Sequence, residues 1–340
     1  MSEDSRSRRR WIGKAIVSAI CLAAVLHWLD WQGLVSAART VTAGTFALAS
    51  AVSFATFVIM AIRWWVLVRG LAAISFAQHL YHYFAGTFLN SFTPANLGGD
   101  AYRFWALRTS ARSRWELFGL LIQERLLGLV GFLSVFAASA AMLLHVGGIA
   151  RFEAALPLLR STIAMVLVAI PLLLVAGPAM RWATARFPAI RRLPVVGRPE
   201  LLSVLAALAP PTRLIGPLLL SLLGVVTWVL AVAIVARGLG LDVPFAVLGI
   251  VATLVEFARW LPISIQGIGV REGLYASLFA LFGYSPESGF ALGTVAYLSL
   301  TVALLASGAC AALLRILPGA AAPAAGAGGF PSAEAPGDGS

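Results

Sequence analysis

Two short stretches interrupt an otherwise apolar sequence, and both contain the same residue types in nearly the same order. The first is PANLGGDAYR at residues 94–103, and the second is PISIQGIGVRE at residues 262–272. Each contains a proline, an amide side chain, two glycines, and then an acid and an arginine. Proline removes a backbone donor and ends a helix, whereas glycine permits unusual dihedral angles and lets a ligand approach the backbone. Each stretch therefore predicts a helix that breaks and then resumes.

The sequence around these breaks is typical of a membrane protein. Of its 340 residues, 60% are hydrophobic and 11% are charged, and the mean hydropathy is +0.90. A soluble globular domain has about 25% charged residues. Since a crossing of the bilayer takes about 20 apolar residues, we expect an all-α polytopic membrane protein with about six transmembrane helices and two broken re-entrant hairpins.

The charge and the cysteines exclude several classes of function. The net charge of +11 comes from 25 Lys and Arg against 14 Asp and Glu. On a membrane protein this excess indicates orientation and contact with anionic headgroups, and no basic region is suited to nucleic acid. The two cysteines, Cys21 and Cys310, lie inside apolar runs, and the histidines have no third ligand nearby. We therefore expect no disulfide, no metal site and no cofactor.

The positions of the arginines predict a path through the membrane. A basic segment precedes an apolar run from Trp11 to Leu29, which predicts a retained anchor and a cytoplasmic N-terminus. A cleaved signal peptide ending at Val35-Ser36-Ala37 is the alternative. The next crossing is expected at 41–62 and ends in the cytoplasm at Arg63 and Arg69. Four further crossings are expected at 117–146, 158–180, 214–236 and 288–314.

Two other segments contain the breaks. Residues 76–107 have both ends on the cytoplasmic side but are too few for two crossings, which need about 40 residues, so a re-entrant hairpin is expected. Residues 243–282 are broken in the same way, and both ends face the exterior. Each half then reads crossing, crossing, broken hairpin, crossing, with the two hairpins entering from opposite sides. This order predicts an inverted-topology repeat, although two glycine-rich kinks could also coincide by chance.

The same path defines the domain organisation. Residues 1–10 form a cytoplasmic basic N-terminus, and 11–315 form a single transmembrane domain. The first repeat covers 11–150 and the second covers 151–315. Residues 316–340, rich in Ala, Gly, Pro and Ser, are expected to be a disordered cytoplasmic tail.

The two breaks are the expected substrate-binding site. Unpaired N–H groups at the start of each returning helix favour an anion, and Arg103 or Arg271 adds a forked donor suited to phosphate. Charged side chains cost about 2.5 to 3.5 kcal/mol at mid-membrane unless they are paired or hydrated. Asp100 with Arg103, and Glu256 with Arg259, are spaced to pair on one helix face. The candidate residues are Asn90, Pro94, Asn96, Gly98, Gly99, Asp100, Arg103, Glu124, Arg125, Glu256, Arg259, Pro262, Ser264, Gln266, Gly267, Gly269, Arg271 and Glu272.

A purely structural interpretation of the charged residues stays open. Glu124, Glu256 and Arg259 would then form salt bridges that join the broken hairpins to neighbouring helices, without contacting a substrate. Glu124 and Arg125 are also placed near the cytoplasmic end of their helix, where an interfacial position would explain them.

Three motifs together resemble the flippase-like transmembrane family, which includes the membrane domain of bacterial lysylphosphatidylglycerol synthases. They are residues 88–103, Glu124-Arg125 followed by Gly128, and residues 262–273, and the resemblance extends from about residue 12 to 315. It implies a multi-pass protein of the bacterial inner (cytoplasmic) membrane that moves a lipid or lipid-linked headgroup between leaflets. Family members are linked with aminoacylated phosphatidylglycerol, hopanoid lipids and polyprenyl-phosphate-linked sugars.

Three functions remain open at this level. The first is a lipid flippase that works by alternating access, with anionic membrane lipids as partners and no catalytic residues. The second is a membrane-embedded transferase, although the aspartates are isolated and offer no cluster for magnesium. The third is a scaffold for a separate lipid-synthesising enzyme. Lipid synthesis by this chain is not expected, because the soluble domain of the bifunctional synthases is replaced here by the tail at 316–340.

Overall fold

The computed structural model describes residues 41–72, 74–90, 93, 97–145, 156–187, 204, 211–260 and 269–316. The predicted all-α class is confirmed for these residues. The helices are α1 Ala43–Val68, α2 Phe76–Asn90, α3 Gly98–Leu107, α4 Arg114–His145, α5 Leu156–Arg186, α6 Pro211–Gly238, α7 Phe245–Trp260, α8 Val270–Leu281 and α9 Pro286–Ile316.

Four of the described helices are long and apolar enough to cross a bilayer. They are α1, α4, the part of α6 at Leu214–Gly238, and α9, with 26, 32, 25 and 31 residues. Each lies at a predicted crossing and exceeds the length of about 20 residues that a bilayer requires. Helix α5 covers the predicted crossing at 158–180. The predicted N-terminal segment, the anchor and residues 317–340 lie outside the described residues.

Both predicted breaks interrupt a helix. Helix α2 ends at Asn90 and α3 begins at Gly98, while α7 ends at Trp260 and α8 begins at Val270. Gly269 precedes α8 with φ of 82°, in the left-handed region that glycine adopts without steric cost. Re-entry of the two hairpins from opposite sides of the membrane stays a prediction.

The contacts between helices repeat from one half to the other. If α1, α2, α3 and α4 are matched in order with α6, α7, α8 and α9, contacts in one half have counterparts in the other. The contact of α2 with α9 corresponds to that of α7 with α4, and the contact of α1 with α9 corresponds to that of α6 with α4. The extensive contact between α1 and α6 is its own counterpart. This is the packing that a pseudo-two-fold axis between two structural repeats produces, with α1 and α6 meeting on the axis.

The sequence spacing supports the same correspondence. One offset relates Pro94 to Pro262 and Arg103 to Arg271. It also relates Arg69-Gly70, just after α1, to Arg237-Gly238, at the end of α6. Under this offset, the first two helices of each half therefore end, and the third begins, at nearby positions, within about one helical turn of each other.

Candidate functional site

A cavity of about 250 Å³ lies between the two halves. The described residues that line it come from α1 to α4 of the first half and from α6, α7 and α9 of the second. Part of the wall is apolar, with Phe57, Met60 and Phe132 among its side chains. The charged residues on the wall are Arg63, Asp100, Arg103, Glu124, Arg125 and Glu256.

Five of these side chains form a continuous series of ion pairs, which we call the charge chain: Arg63, Glu124, Arg103, Asp100 and Arg125. Glu124 is 3.2 Å from Arg63 and 2.9 Å from Arg103 through its two carboxylate oxygens. Asp100 is 2.5 Å from Arg103 and 2.6 Å from Arg125. With three arginines and two carboxylates, the charge chain has one positive charge in excess.

The position of Arg103 is set by close packing of α2 against α3. A side chain at Gly99 would place its Cβ 2.3 Å from the carbonyl oxygen of Gly86, so the two helices approach each other through glycine. The guanidinium of Arg103 then lies 4.7 Å from the ring centre of Trp64 and 5.2 Å from that of Tyr83. Two aromatic faces and two carboxylates stabilise its charge in a buried position.

Side chains already occupy several backbone donors at the two breaks. The N–H of Gly98 donates to Thr93 Oγ1 at 2.9 Å, and the N–H of Gly99 donates to Asn90 Oδ1 at 2.7 Å. At the second break the N–H of Gly269 donates to Glu272 Oε2 at 2.8 Å. The expectation that free N–H groups would hold an anion is therefore wrong at these three positions, because polar side chains cap the returning helices.

Unpaired donors are found on the arginines instead. Arg103 Nη1 and Arg63 Nε are buried and have no hydrogen-bond partner among the described residues. An unsatisfied buried donor costs about 1–3 kcal/mol, and more when it is charged. Both residues line the cavity, although these two nitrogens are themselves buried, so an oxyanion in the cavity would reach them only after the arginine side chains turn.

The second break has a different environment. Arg271 is 4% exposed and forms an ion pair with Glu272, the next residue. Its guanidinium lies 3.5 Å from the ring centre of Tyr297. Arg271 Nε and Nη1 have no hydrogen-bond partner in the part of the chain that the structure describes. A second cavity of about 10 Å³ adjoins Arg271, which is room for about one water molecule.

The structure brings many of the predicted site residues together. Asn90, Asp100, Arg103, Glu124 and Arg125 line the main cavity, and Glu256 lines both cavities. The ion pairs join α4 to α1 and to α3, so they tie the first hairpin to a neighbouring helix as the structural interpretation expects, and they do so on the cavity wall. Glu124 is buried between two arginines, while its depth in the membrane stays a prediction.

Other predicted site residues contribute in a different way or are not described. Gly98, Gly99 and Gly269 shape the breaks, and Glu272 pairs with Arg271. The pairing of Glu256 with Arg259 stays a prediction, because the side chain of Arg259 is not among the described ones. The residues Pro94, Asn96, Pro262, Ser264, Gln266 and Gly267 lie outside the described residues.

Arg63 is a site residue that the sequence interpretation missed. It was expected at the cytoplasmic end of a crossing, but α1 continues to Val68 and Arg63 is only 6% exposed. Its Nη1 donates to Ser221 Oγ of α6 at 2.9 Å, while its Nη2 binds Glu124. The matching Arg69-Gly70 and Arg237-Gly238 pairs are the signal that would have placed the helix end after Arg63.

Comparison with known proteins agrees with this architecture. The family model described as the lysylphosphatidylglycerol synthase TM region matches residues 11–308, which include both breaks and every member of the charge chain. No curated protein and no solved structure matches the chain significantly. With the family match over most of its length and four helices able to span a bilayer, the chain is a multi-pass membrane protein that belongs to the lysylphosphatidylglycerol synthase transmembrane-region family.

Proposed function

We propose that this protein is a lipid flippase, a transporter that moves an anionic lipid or lipid-linked headgroup between the leaflets of the bacterial inner membrane. The observation that carries the proposal is the charge chain, whose three arginines line the main cavity together with Asp100, Glu124 and Glu256. A phosphodiester can take the place of a carboxylate as the partner of these arginines. Arg103 and Arg63 also have buried unpaired donors among the described residues, which can turn toward the oxygens of a bound headgroup.

The volume of the cavity supports a headgroup rather than a whole lipid as its occupant. Sites for drug-sized ligands have volumes of about 300–1,000 Å³, and the main cavity has about 250 Å³. The acyl or prenyl tails would stay in the bilayer while the headgroup crosses between the halves. Aminoacyl-phospholipids and polyprenyl-phosphate-linked lipids both fit this description, whereas a hopanoid-type lipid fits only if its headgroup carries an anionic group.

Alternating access is the mechanism that the repeat favours. Transporters built from two related halves bind their substrate between the halves and expose it to each side in turn. Here the main cavity has formed beside Arg103, while the cavity beside Arg271 is nearly closed. In our proposal the first hairpin enters from the cytoplasm, both termini are cytoplasmic, and no step of the cycle is enzymatic.

Leaflet exchange in liposomes tests the proposal. Purified protein is reconstituted into vesicles that contain phosphatidylglycerol labelled on an acyl chain with a dithionite-sensitive fluorophore. We expect protein-containing vesicles to lose fluorescence beyond the outer-leaflet fraction. The variant Arg103→Gln should abolish this exchange, while Arg112→Gln should not, because the Arg112 side chain is 74% exposed.

The same vesicles separate the alternatives. If no anionic lipid exchanges faster than in empty vesicles, the transport proposal is wrong and a scaffold becomes the better interpretation. If mass spectrometry finds a headgroup of altered mass, the protein is a transferase. Thermal melting of Arg103→Gln and of a second variant, Arg125→Gln, distinguishes a lost binding site from a misfolded protein.

A further inference from the structure

We infer that Trp228, together with Glu256 and Leu300, is a gate that closes Arg271 off from the main cavity, and that its opening gives the bound phosphate access to Arg271. We call these three residues the partition. The inference rests on the proposed function for its ligand, a lipid phosphodiester. It assigns a positioning role to Trp228, a residue outside both breaks.

The partition borders both cavities. Trp228 of α6, Glu256 of α7 and Leu300 of α9 line the main cavity, and the same three residues line the small cavity beside Arg271. Because these described side chains face both spaces, a change of rotamer at Trp228 would widen the connection between them.

Trp228 has an unsatisfied donor at this position. Its side chain is buried, and its Nε1 has no hydrogen-bond partner among the described residues. A buried indole N–H usually has an acceptor. An unpaired N–H at this position is expected if the side chain has a second conformation in which it finds an acceptor. An oxygen of a headgroup that passes between the two cavities would be such an acceptor.

Arg271 has unpaired donors suited to an anion, but the space beside it is too small for one. Its Nε and Nη1 are buried without partners among the residues described, and the ring of Tyr297 stabilises its charge from one face. The adjoining space of about 10 Å³ cannot hold a phosphate. The donors are in place and the volume is missing, which is the arrangement expected of a closed site.

The repeat explains why only one of the two sites is closed. The offset that relates Arg103 to Arg271 also relates Met60 to Trp228. Both side chains line the main cavity. Methionine is unbranched and adapts to irregular space, whereas the indole is large and rigid. The first half therefore has a flexible side chain at the position where the second half has a rigid gate.

Thiol labelling tests the gate without any lipid transport. In a Cys21→Ser, Cys310→Ser background, the variant Ala296→Cys places a thiol in the small cavity, where Ala296 is 2% exposed. The probe is sulfonatoethyl methanethiosulfonate, an anionic reagent. With Trp228 present we expect slow labelling, and Trp228→Ala should raise the rate roughly tenfold or more, because thiol reaction depends on access.

Matched controls keep the result decisive. Thr87→Cys lies on the main cavity and should label at the same rate with Trp228 or Trp228→Ala, which also shows that the cavity survives the substitution. Trp182→Ala removes a tryptophan that is 64% exposed and should leave the labelling of Ala296→Cys unchanged. Trp228→Phe keeps an aromatic wall and should label slowly.

Two results would overturn the inference. One is an equal labelling rate of Ala296→Cys with Trp228 and with Trp228→Ala, and the other is fast labelling while Trp228 is present. Failure of the flippase proposal would instead appear as absent leaflet exchange in the unmodified protein. The labelling rates do not depend on that outcome, so the two failures are distinguishable.

Discussion

The two breaks share a backbone plan and differ in the charges around their arginines. At the first break, Arg103 is held by Asp100 of its own helix and by Glu124 of α4. At the second break, Arg271 is held by Glu272, its neighbour in the chain. Arg103 lines a cavity of about 250 Å³, whereas the space beside Arg271 is about 10 Å³.

The two halves pack alike but differ in the charged residues around their arginines. At the offset that relates Arg103 to Arg271, the second half has Ala231, Leu292 and Gly293 where the first half has Arg63, Glu124 and Arg125. Arg103 therefore obtains one counter-ion from its own helix and one from α4, whereas Arg271 has one from the next residue. A network of charges on a cavity wall needs several helices, while a local pair mainly stabilises its own helix start.

The largest expected effect is the difference in thermal stability between loss of Glu124 and loss of Glu272. Glu124→Ala leaves Arg63 and Arg103 without their shared carboxylate, and breaking a buried pair costs about 3–5 kcal/mol. Glu272→Ala removes the partner of one arginine and the acceptor of the Gly269 N–H, and because a helix cap contributes only about 0.5–2 kcal/mol we expect it to lower the melting temperature less. The measurement is thermal unfolding of both variants in one detergent. A larger loss in Glu272→Ala would contradict the view that the first break depends more on its counter-ions.

A smaller effect is expected from the glycine contact at the first break. In Gly99→Ala the new Cβ would lie 2.3 Å from Gly86 O and 2.7 Å from Asn90 Oδ1, so α2 and α3 must separate. Overpacking of this kind costs about 1–3 kcal/mol. Arg103 should also move, so leaflet exchange should fall. Gly216→Ala is the control, because a Cβ there meets nothing within 4 Å. Equal melting temperatures for the two variants would show that α2 and α3 are not packed through Gly99.

The smallest effect concerns the ring beside Arg271. Tyr297→Leu removes a cation–π contact of 3.5 Å, and such contacts contribute about 0.5–2 kcal/mol. Tyr297→Phe keeps the ring and should melt close to the unmodified protein. Arg103 contacts two rings, so loss of a single one, in Trp64→Leu, is not expected to release its guanidinium. Identical melting curves for Tyr297→Leu and Tyr297→Phe would show that the ring does not stabilise the charge of Arg271.

The local features of this fold could be predicted from the sequence. Proline and glycine marked both breaks, apolar length marked the crossings, and the spacing of Asp100 and Arg103 predicted an ion pair that the structure has at 2.5 Å. All of these depend on residues that are close in the chain, where helix geometry alone determines which side chains meet.

The residues that could not be predicted are those that meet across the repeat. Arg63 contacts Ser221, which is 158 residues away, and Trp228 joins two cavities whose walls come from different helices. Helix periodicity indicates that a face is buried but does not identify its partner. The capping of Gly98 and Gly99 by Thr93 and Asn90 was missed for a related reason, because it depends on how the chain turns within the break.

The hydrogen bond between Arg63 and Ser221 has a mechanical consequence. It joins α1 to α6, the two helices whose contact maps onto itself when the halves are exchanged. A rotation displaces atoms near its axis least. If one half rocks against the other about an axis between these two helices, this bond lies close to the axis, and it can persist while the cavities on either side change size.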